Sequence, residues 1–269
     1  MNAPVPVSVV IPCYRCAQSI ERAVASVAFQ TALPMELILV DDASGDDTWA
    51  VLTRLEKEHP GLVKLLRLVE NQGAGSARNA GWAAASQPFI AFLDADDAWH
   101  PKKIEIQYAY MKANPDVALC GHGHRMLKEN VLPSWKVRPG PVRPIRKWAL
   151  MRSNRFVTPS AMLRSDVKPR FVDRQRYMED HMLWLKIVCS GGRVVKLSEE
   201  LAAIYKEPFG ITGLSAQVWL MERGDLGNYR RLYVDNSIGS YQLAALGAYS
   251  ALKYVRRLMI YWGYLRWRK

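Results

Sequence analysis

The chain has 269 residues, 49% hydrophobic and 23% charged, which allows a substantial core and excludes a disordered chain. No charge-free apolar run is long enough to span a bilayer, and "MNAPVPVSVV" has no basic stretch ahead of its apolar residues, so neither a transmembrane helix nor a signal peptide is expected and the cytoplasm is the expected compartment. The net charge of +12 favours an anionic partner, and four cysteines suggest no disulfide framework.

The first half alternates two periodicities. An apolar β-branched run, "VSVVI" (7–11), is followed by helical spacing over 19–30, with Ile20, Val24, Val27 and Ala28 on one face. A second strand is expected at 36–40 and a second helix at 46–59. A third strand at 62–68 leads to a helix at 76–86. A fourth strand at 88–93 leads to a helix at 102–113. Such alternation predicts a mainly parallel sheet covered by helices on both faces, with ligands beyond the carboxyl ends of the strands. Residues 125–160, rich in Pro, Arg and Trp, read as a loop-bearing connection over a site. Helix resumes at 178–190, a turn and short strand follow at 191–197, and a helical tail is expected at 241–269.

Acidic residues gather where the strands should end. Asp41 and Asp42 close the second strand, and Asp94, Asp96 and Asp97 follow the fourth in "IAFLDADDAWHP". Clustered carboxylates repel and are costly to bury, so their placement needs a reason. One reason is a divalent cation, which takes one or two carboxylates together with phosphate oxygens. The plainer reason is helix capping, which Pro101 supports.

Four motifs in order, "VSVVIPCYR", "ELILVDDASGDDT", "ENQGAGSARNAG" and "IAFLDADDAW", resemble the family 2 glycosyltransferases of the GT-A fold. The likeness is close over 7–110 and looser to about 215; Arg15 stands where members commonly have Asn. The resemblance implies a Rossmann-like GT-A α/β domain over 1–225, with a nucleotide-binding half (1–115) and an acceptor half (116–225), then a basic aromatic helical tail (226–269). It implies that Pro12 and Tyr14 line the base pocket and that Asp42 accepts from a base N–H. Arg78 would reach the base or diphosphate, Asp94 would hold the ribose with Ala95 beside it, and Asp96 would hold Mn2+ or Mg2+. Glu179 and Asp180 in "RYMEDHMLWLK" resemble the family's acidic pair, with Asp180 as general base, Glu179 on the acceptor side and His181 as its neighbour. Lys206 lies in a segment that resembles one closing over the diphosphate.

The expected activity is inverting, metal-dependent transfer of a sugar from a nucleotide-diphosphate donor, UDP-linked, to a glycan or lipid-linked hydroxyl. A nucleotidyltransferase acting on sugar phosphates is a rival, but "IPCYRCAQ" lacks its Gly-rich, Lys-bearing loop. A non-catalytic nucleotide-binding scaffold is a second rival. Cys13 and Cys16 have redox spacing, and Cys120, His122 and His124 have the alternation of metal ligands, but the nucleotide pocket accounts for the first set and the second lacks a fourth ligand. Residues 226–269 carry eight Lys and Arg against Asp235, or +7 of the +12. Tyr261, Trp262, Tyr264 and Trp267 beside arginines suit a membrane surface, so peripheral attachment at the inner face of the cell membrane is expected, and nucleic acid is not an expected partner.

Overall fold

The computed structural model describes residues 3–129, 131–205 and 217–267, with side chains as far as residue 259. Strands β1 (Val5–Cys13), β2 (Pro34–Asp41), β3 (Val63–Arg67) and β4 (Phe89–Phe92) lie parallel in the order β3-β2-β1-β4. Helices α1 (Ile20–Ala28), α2 (Thr48–Glu58) and α3 (Ala74–Ala84) make the crossovers. The strands read as continuous apolar runs because both faces are buried. Val7, Val9 and Ile11 of β1 join the core with Val24, Val27, Leu37 and Leu52. Val10 joins the opposite core with Ile38, Val40, Phe92, Trp82 and Trp184.

The second half extends the same sheet with mixed direction. Strand β8 (Met162–Arg164) runs antiparallel to β4, pairing Met162 with Ala91, and β6 (Val117–Met126) runs antiparallel to β8. Strand β9 (Arg193–Ile204) is parallel to β6 and also pairs with β5 (Ala98–Trp99) and β7 (Arg143–Pro144). Helices α4 (Lys103–Ala113), α5 (Lys147–Arg152), α6 (Glu179–Cys189), α7 (Val218–Val234) and α8 (Ser240–Trp267) complete the described elements.

Three features depart from the periodicity. The expected connection at 125–160 contains β7, α5 and a 3-10 turn at Thr158–Ser160. The strand expected to stop at 197 continues to Ile204, because its pairing with β6 shifts register around Gly121–Gly123 and breaks the alternation. Helix α7 carries no apolar stripe. Its buried face includes Glu222, Asp225 and Asn228 beside Tyr229 and Leu232, and the expected boundary at 225/226 falls inside it. The first turns of α8 pack on this body through Leu246 and Ser250, both buried, whereas Leu252, Val255 and Met259 are exposed. Among the described residues, no helix is long and apolar enough to cross a membrane.

Candidate active site

Adjacent parallel strands end together, so Tyr14, Asp42 and Asp94–Asp97 fall along one rim of the sheet. Pro12 is the penultimate residue of β1, and Tyr14, just beyond the strand, is 45% exposed with the Arg15 guanidinium 5.3 Å from its ring centre. Asp42 is buried and well supplied with donors. Its Oδ1 accepts from the Gln72 N–H at 2.8 Å, and its Oδ2 accepts from the Gly73 N–H at 2.8 Å and Asn71 Nδ2 at 2.9 Å. Burial still raises its pKa, against those hydrogen bonds. Gly73 has φ +89°, a conformation that favours glycine, and it opens α3 with its N–H turned to Asp42. Beyond the ends of β2 and β3, Ala43, Gly45, Arg67, Leu68 and Val69 line a cleft of about 400 Å³.

The turn after β4 is braced from two sides. Arg22 of α1 donates to the Asp96 carbonyl at 2.6 Å and stacks 3.8 Å over the Tyr205 ring, while the Tyr205 N–H donates to Asp97 Oδ1 at 3.4 Å. One carboxylate oxygen each from Asp94, Asp96 and Asp97 lies within 4.8 Å of the others. Three hard oxygen donors at that spacing fit a divalent cation, and this is the metal-capable group of acids, histidines and cysteines among the described residues. Asp94 and Asp97 thus lie beside Asp96, the expected ligand. Ala95, between Asp94 and Asp96, is buried in the core.

The motif "GAGSARNAG" joins the two halves. Arg78 is buried, and its guanidinium donates to Asp94 Oδ1 at 2.6 Å and to Glu179 Oε1 at 3.1 Å. Asn79 donates to the Phe171 carbonyl and Asp173, and Ser76 accepts from the Arg174 N–H. A Cβ on Gly75 would lie 3.3 Å from Glu179 Cγ, and one on Gly81 would lie 2.4 Å from Val10 Cγ1, so both glycines permit close packing. Burial raises the Glu179 pKa; Arg78 opposes the shift and Asp180 adds to it.

Glu179 and Asp180 open α6, where the helix dipole favours acids. Met178 ahead of them is left-handed, with φ 57°, and α7 braces that turn: Asn228 Nδ2 donates to the Met178 carbonyl at 2.9 Å. Asp180 Oδ1 accepts from the His181 N–H at 2.6 Å, and Oδ2 accepts from Asn154 Nδ2 at 2.9 Å. His181 is fully buried, with Nδ1 2.9 Å from Asp225 Oδ1 and Nε2 2.8 Å from the Leu150 carbonyl. Asn154, Asp225 and the α7 brace had no signal in the motifs. Lys206 lies outside the described residues.

Burial drives the Cys13 thiol well up and Cys120 to about 12, and drives His122 well down. All three side chains are buried, Cys13 at the end of β1 included.

A parallel sheet with an acidic rim, joined to a mixed extension that presents a second acidic pair, defines a nucleotide-sugar transferase fold of the GT-A kind. Solved structures agree: TarS of S. aureus in complex with UDP-GlcNAc superposes with a TM-score of 0.70 at 18% identity, over 94% of this chain and 72% of that one. The mannosyltransferase PcManGT from Pyrobaculum calidifontis, in complex with GDP-Man and Mn2+, gives 0.69 at 18% identity, over 96% and 73%. The family description "Glycosyl transferase family 2" matches residues 8–167, and the chain belongs to that family. It is a glycosyltransferase. An uncharacterized glycosyltransferase of Nostoc sp. is 43% identical over 99 residues, 37% of this chain and only 30% of that relative. UDP-Glc:alpha-D-GlcNAc-diphosphoundecaprenol beta-1,3-glucosyltransferase WfaP of Escherichia coli is 29% identical over 69% of this chain and 71% of that one.

Proposed function

We propose that the chain transfers a sugar, with inversion, from a UDP-sugar to a hydroxyl of a glycan or lipid-linked acceptor. The observation that carries this reading is the placement of acids from both halves about one buried arginine: the Asp94–Asp97 group on one side of Arg78, and Glu179 with Asp180 on the other. A displacement at the anomeric carbon needs its base on the face opposite the leaving group, which two separate acidic groups satisfy.

Asp180 takes the proton of the acceptor hydroxyl as its oxygen bonds to the anomeric carbon. The bond from that carbon to the diphosphate oxygen breaks, and the electron pair leaves with the nucleoside diphosphate. The sugar passes through an oxocarbenium-like transition state. Tyr14 and Pro12 border the base, Asp42 accepts from its N–H, Arg78 keeps Asp94 aligned near the donor, and Asp94 meets the ribose. Mn2+ or Mg2+ would be held by Asp96 with Asp94 and Asp97, and supplies positive charge to a departing diphosphate when bound.

The acceptor is a growing surface glycan on a lipid carrier. That substrate gives α8 a role at the inner face of the cell membrane. Exposed Leu252, Val255 and Met259 alternate with exposed Arg256 and Arg257, the mix that anionic headgroups attract. The test is release of nucleoside diphosphate with the anomeric configuration of the product. Release that needs acceptor, divalent metal and Asp180, with inverted product, supports the reading. Asp180→Asn should keep donor binding and lose transfer; retained turnover overturns the assignment.

A further inference from the structure

Asp180 is held from a segment that no motif marks. Asn154 donates through Nδ2 to Asp180 Oδ2 at 2.9 Å, and Thr158 Oγ1 lies 3.4 Å from the same oxygen. The Asn154 amide is itself fixed, because its Oδ1 accepts from the Phe156 N–H at 3.2 Å. This leaves the NH2 group turned to Asp180.

The backbone leading into Asn154 is clamped. The last three carbonyls of α5 each meet a donor from a different helix. His181 Nε2 of α6 lies 2.8 Å from the Leu150 carbonyl, the Tyr229 hydroxyl of α7 donates to the Met151 carbonyl at 2.8 Å, and Lys253 Nζ of α8 donates to the Arg152 carbonyl at 3.2 Å. Asp225 ties the outer two together, 2.9 Å from His181 Nδ1 and 3.7 Å from Lys253 Nζ. His181, Tyr229 and Asp225 are all buried.

We propose that Asn154 is a positioning residue for sugar transfer, which holds the Asp180 carboxylate in place, and that the clamp on carbonyls 150–152 holds Asn154 in place. The proposal rests on Asp180 being the base. A donor on Oδ2 favours the charged form, the form able to take a proton. The other charged groups around Asp180 are Glu179 beside it, Arg78 from α3 with Asp94 beyond it, and the His181, Asp225 and Lys253 set behind α6.

The test uses the full chain, with acceptor-dependent UDP release measured from pH 5 to 9 and UDP–Mn2+ binding measured by calorimetry. Asn154→Ala should lower kcat about tenfold and raise the acid limb of the kcat profile by about one pH unit, with UDP–Mn2+ affinity within about twofold of wild type. Asn154→Asp, nearly isosteric, should raise the limb further by adding a like charge. Tyr229→Phe, which loosens the clamp without touching Asp180, should lower kcat in the same sense. If Asn154→Ala and Asn154→Asp keep the wild-type kcat and limb while Asp180→Asn abolishes transfer, the positioning role is refuted and the base stands. If Asp180→Asn keeps transfer, the base assignment itself has failed. Should Asn154→Ala fail to fold, the limb of the folded Asn154→Asp protein decides.

Discussion

Arg78→Met removes the cation between two carboxylates. Its side chain is 4% exposed, and those of Asp94 and Glu179 are 21% and 13% exposed, so water replaces little of the lost interaction. Breaking a buried pair costs about 3–5 kcal/mol, and partial access of solvent to Asp94 places this one near the low end, about 3 kcal/mol. For a chain of this size that is a fall in Tm of about 6–12 °C. The loss should depend on pH in a set direction. Burial already raises the Glu179 pKa above its ordinary value, and Arg78 opposes that rise. Without Arg78 the pKa rises further. A group raised in the folded state favours folding below its unfolded value of about 4.5 and loses that contribution as pH rises through the folded value. The penalty of Arg78→Met should therefore be small near pH 4.5 and full at pH 8. Adding Glu179→Gln should recover part of it at pH 8, because one of the two stranded charges is gone. Thermal melts in a chelator across this range measure it. An unchanged Tm, or a loss equal at both ends of the range, would refute the account of Arg78 as the ionic joint.

Glu36 is 1% exposed; burial raises its pKa, but Lys64, the Ser8 hydroxyl and the Ser86 N–H and hydroxyl outweigh it and hold it at about 2. That depression supports folding above the unfolded value and is lost as pH falls from about 4.5 to about 2, so urea titrations should find the wild type losing about 3 kcal/mol there and Glu36→Gln much less. Gly81→Ala should cost about 1–3 kcal/mol, because its Cβ would meet Val10 Cγ1 at 2.4 Å and Val40 Cγ2 at 3.0 Å; chemical denaturation checks this, and no loss means that α3 can lift from the sheet. Asp96→Ala should weaken metal-dependent UDP binding at least tenfold in calorimetry, and no change would remove Asp96 from the site. Ending the chain after residue 254 should reduce flotation with anionic vesicles and leave the Tm near wild type, since Leu246, Ser250 and Lys253 are retained.

The acidic rim of the sheet was legible because its residues sit where local pattern and chemistry coincide. Buried parallel strands leave apolar runs, and a carboxylate directly after such a run has few structural uses, so Asp42 and Asp94–Asp97 could be placed from the chain alone. The glycines of 73–81 were visible too, but their purpose was not. Gly75 and Gly81 admit Glu179 and Val10, partners 104 and 71 positions away, and no local pattern encodes them. Helix α7 escaped for a different reason. Hydrophobic periodicity finds helices that bury apolar faces, and α7 buries Glu222, Asp225 and Asn228.

What escaped sequence reasoning is largely what shapes the turn ahead of α6. The turn at Met178 is left-handed without glycine, a conformation that costs on the order of 1 kcal/mol and persists only when its surroundings impose it. Those surroundings are polar: Asn228 on the Met178 carbonyl, Asp225 on His181, and Gly224 packed so closely that a Cβ would stand 2.9 Å from the Tyr177 carbonyl. A buried polar face on α7 costs more to desolvate than an apolar one, and Asp225 and Asn228 offset that cost by meeting His181 and the Met178 carbonyl. It follows that α7 gives up hydrophobic stabilisation to fix one backbone turn, and that turn sets where Glu179 meets Arg78 and where α6 begins. The turn after β4 is braced instead by charged side chains, Arg22 on the Asp96 carbonyl and Arg78 on Asp94.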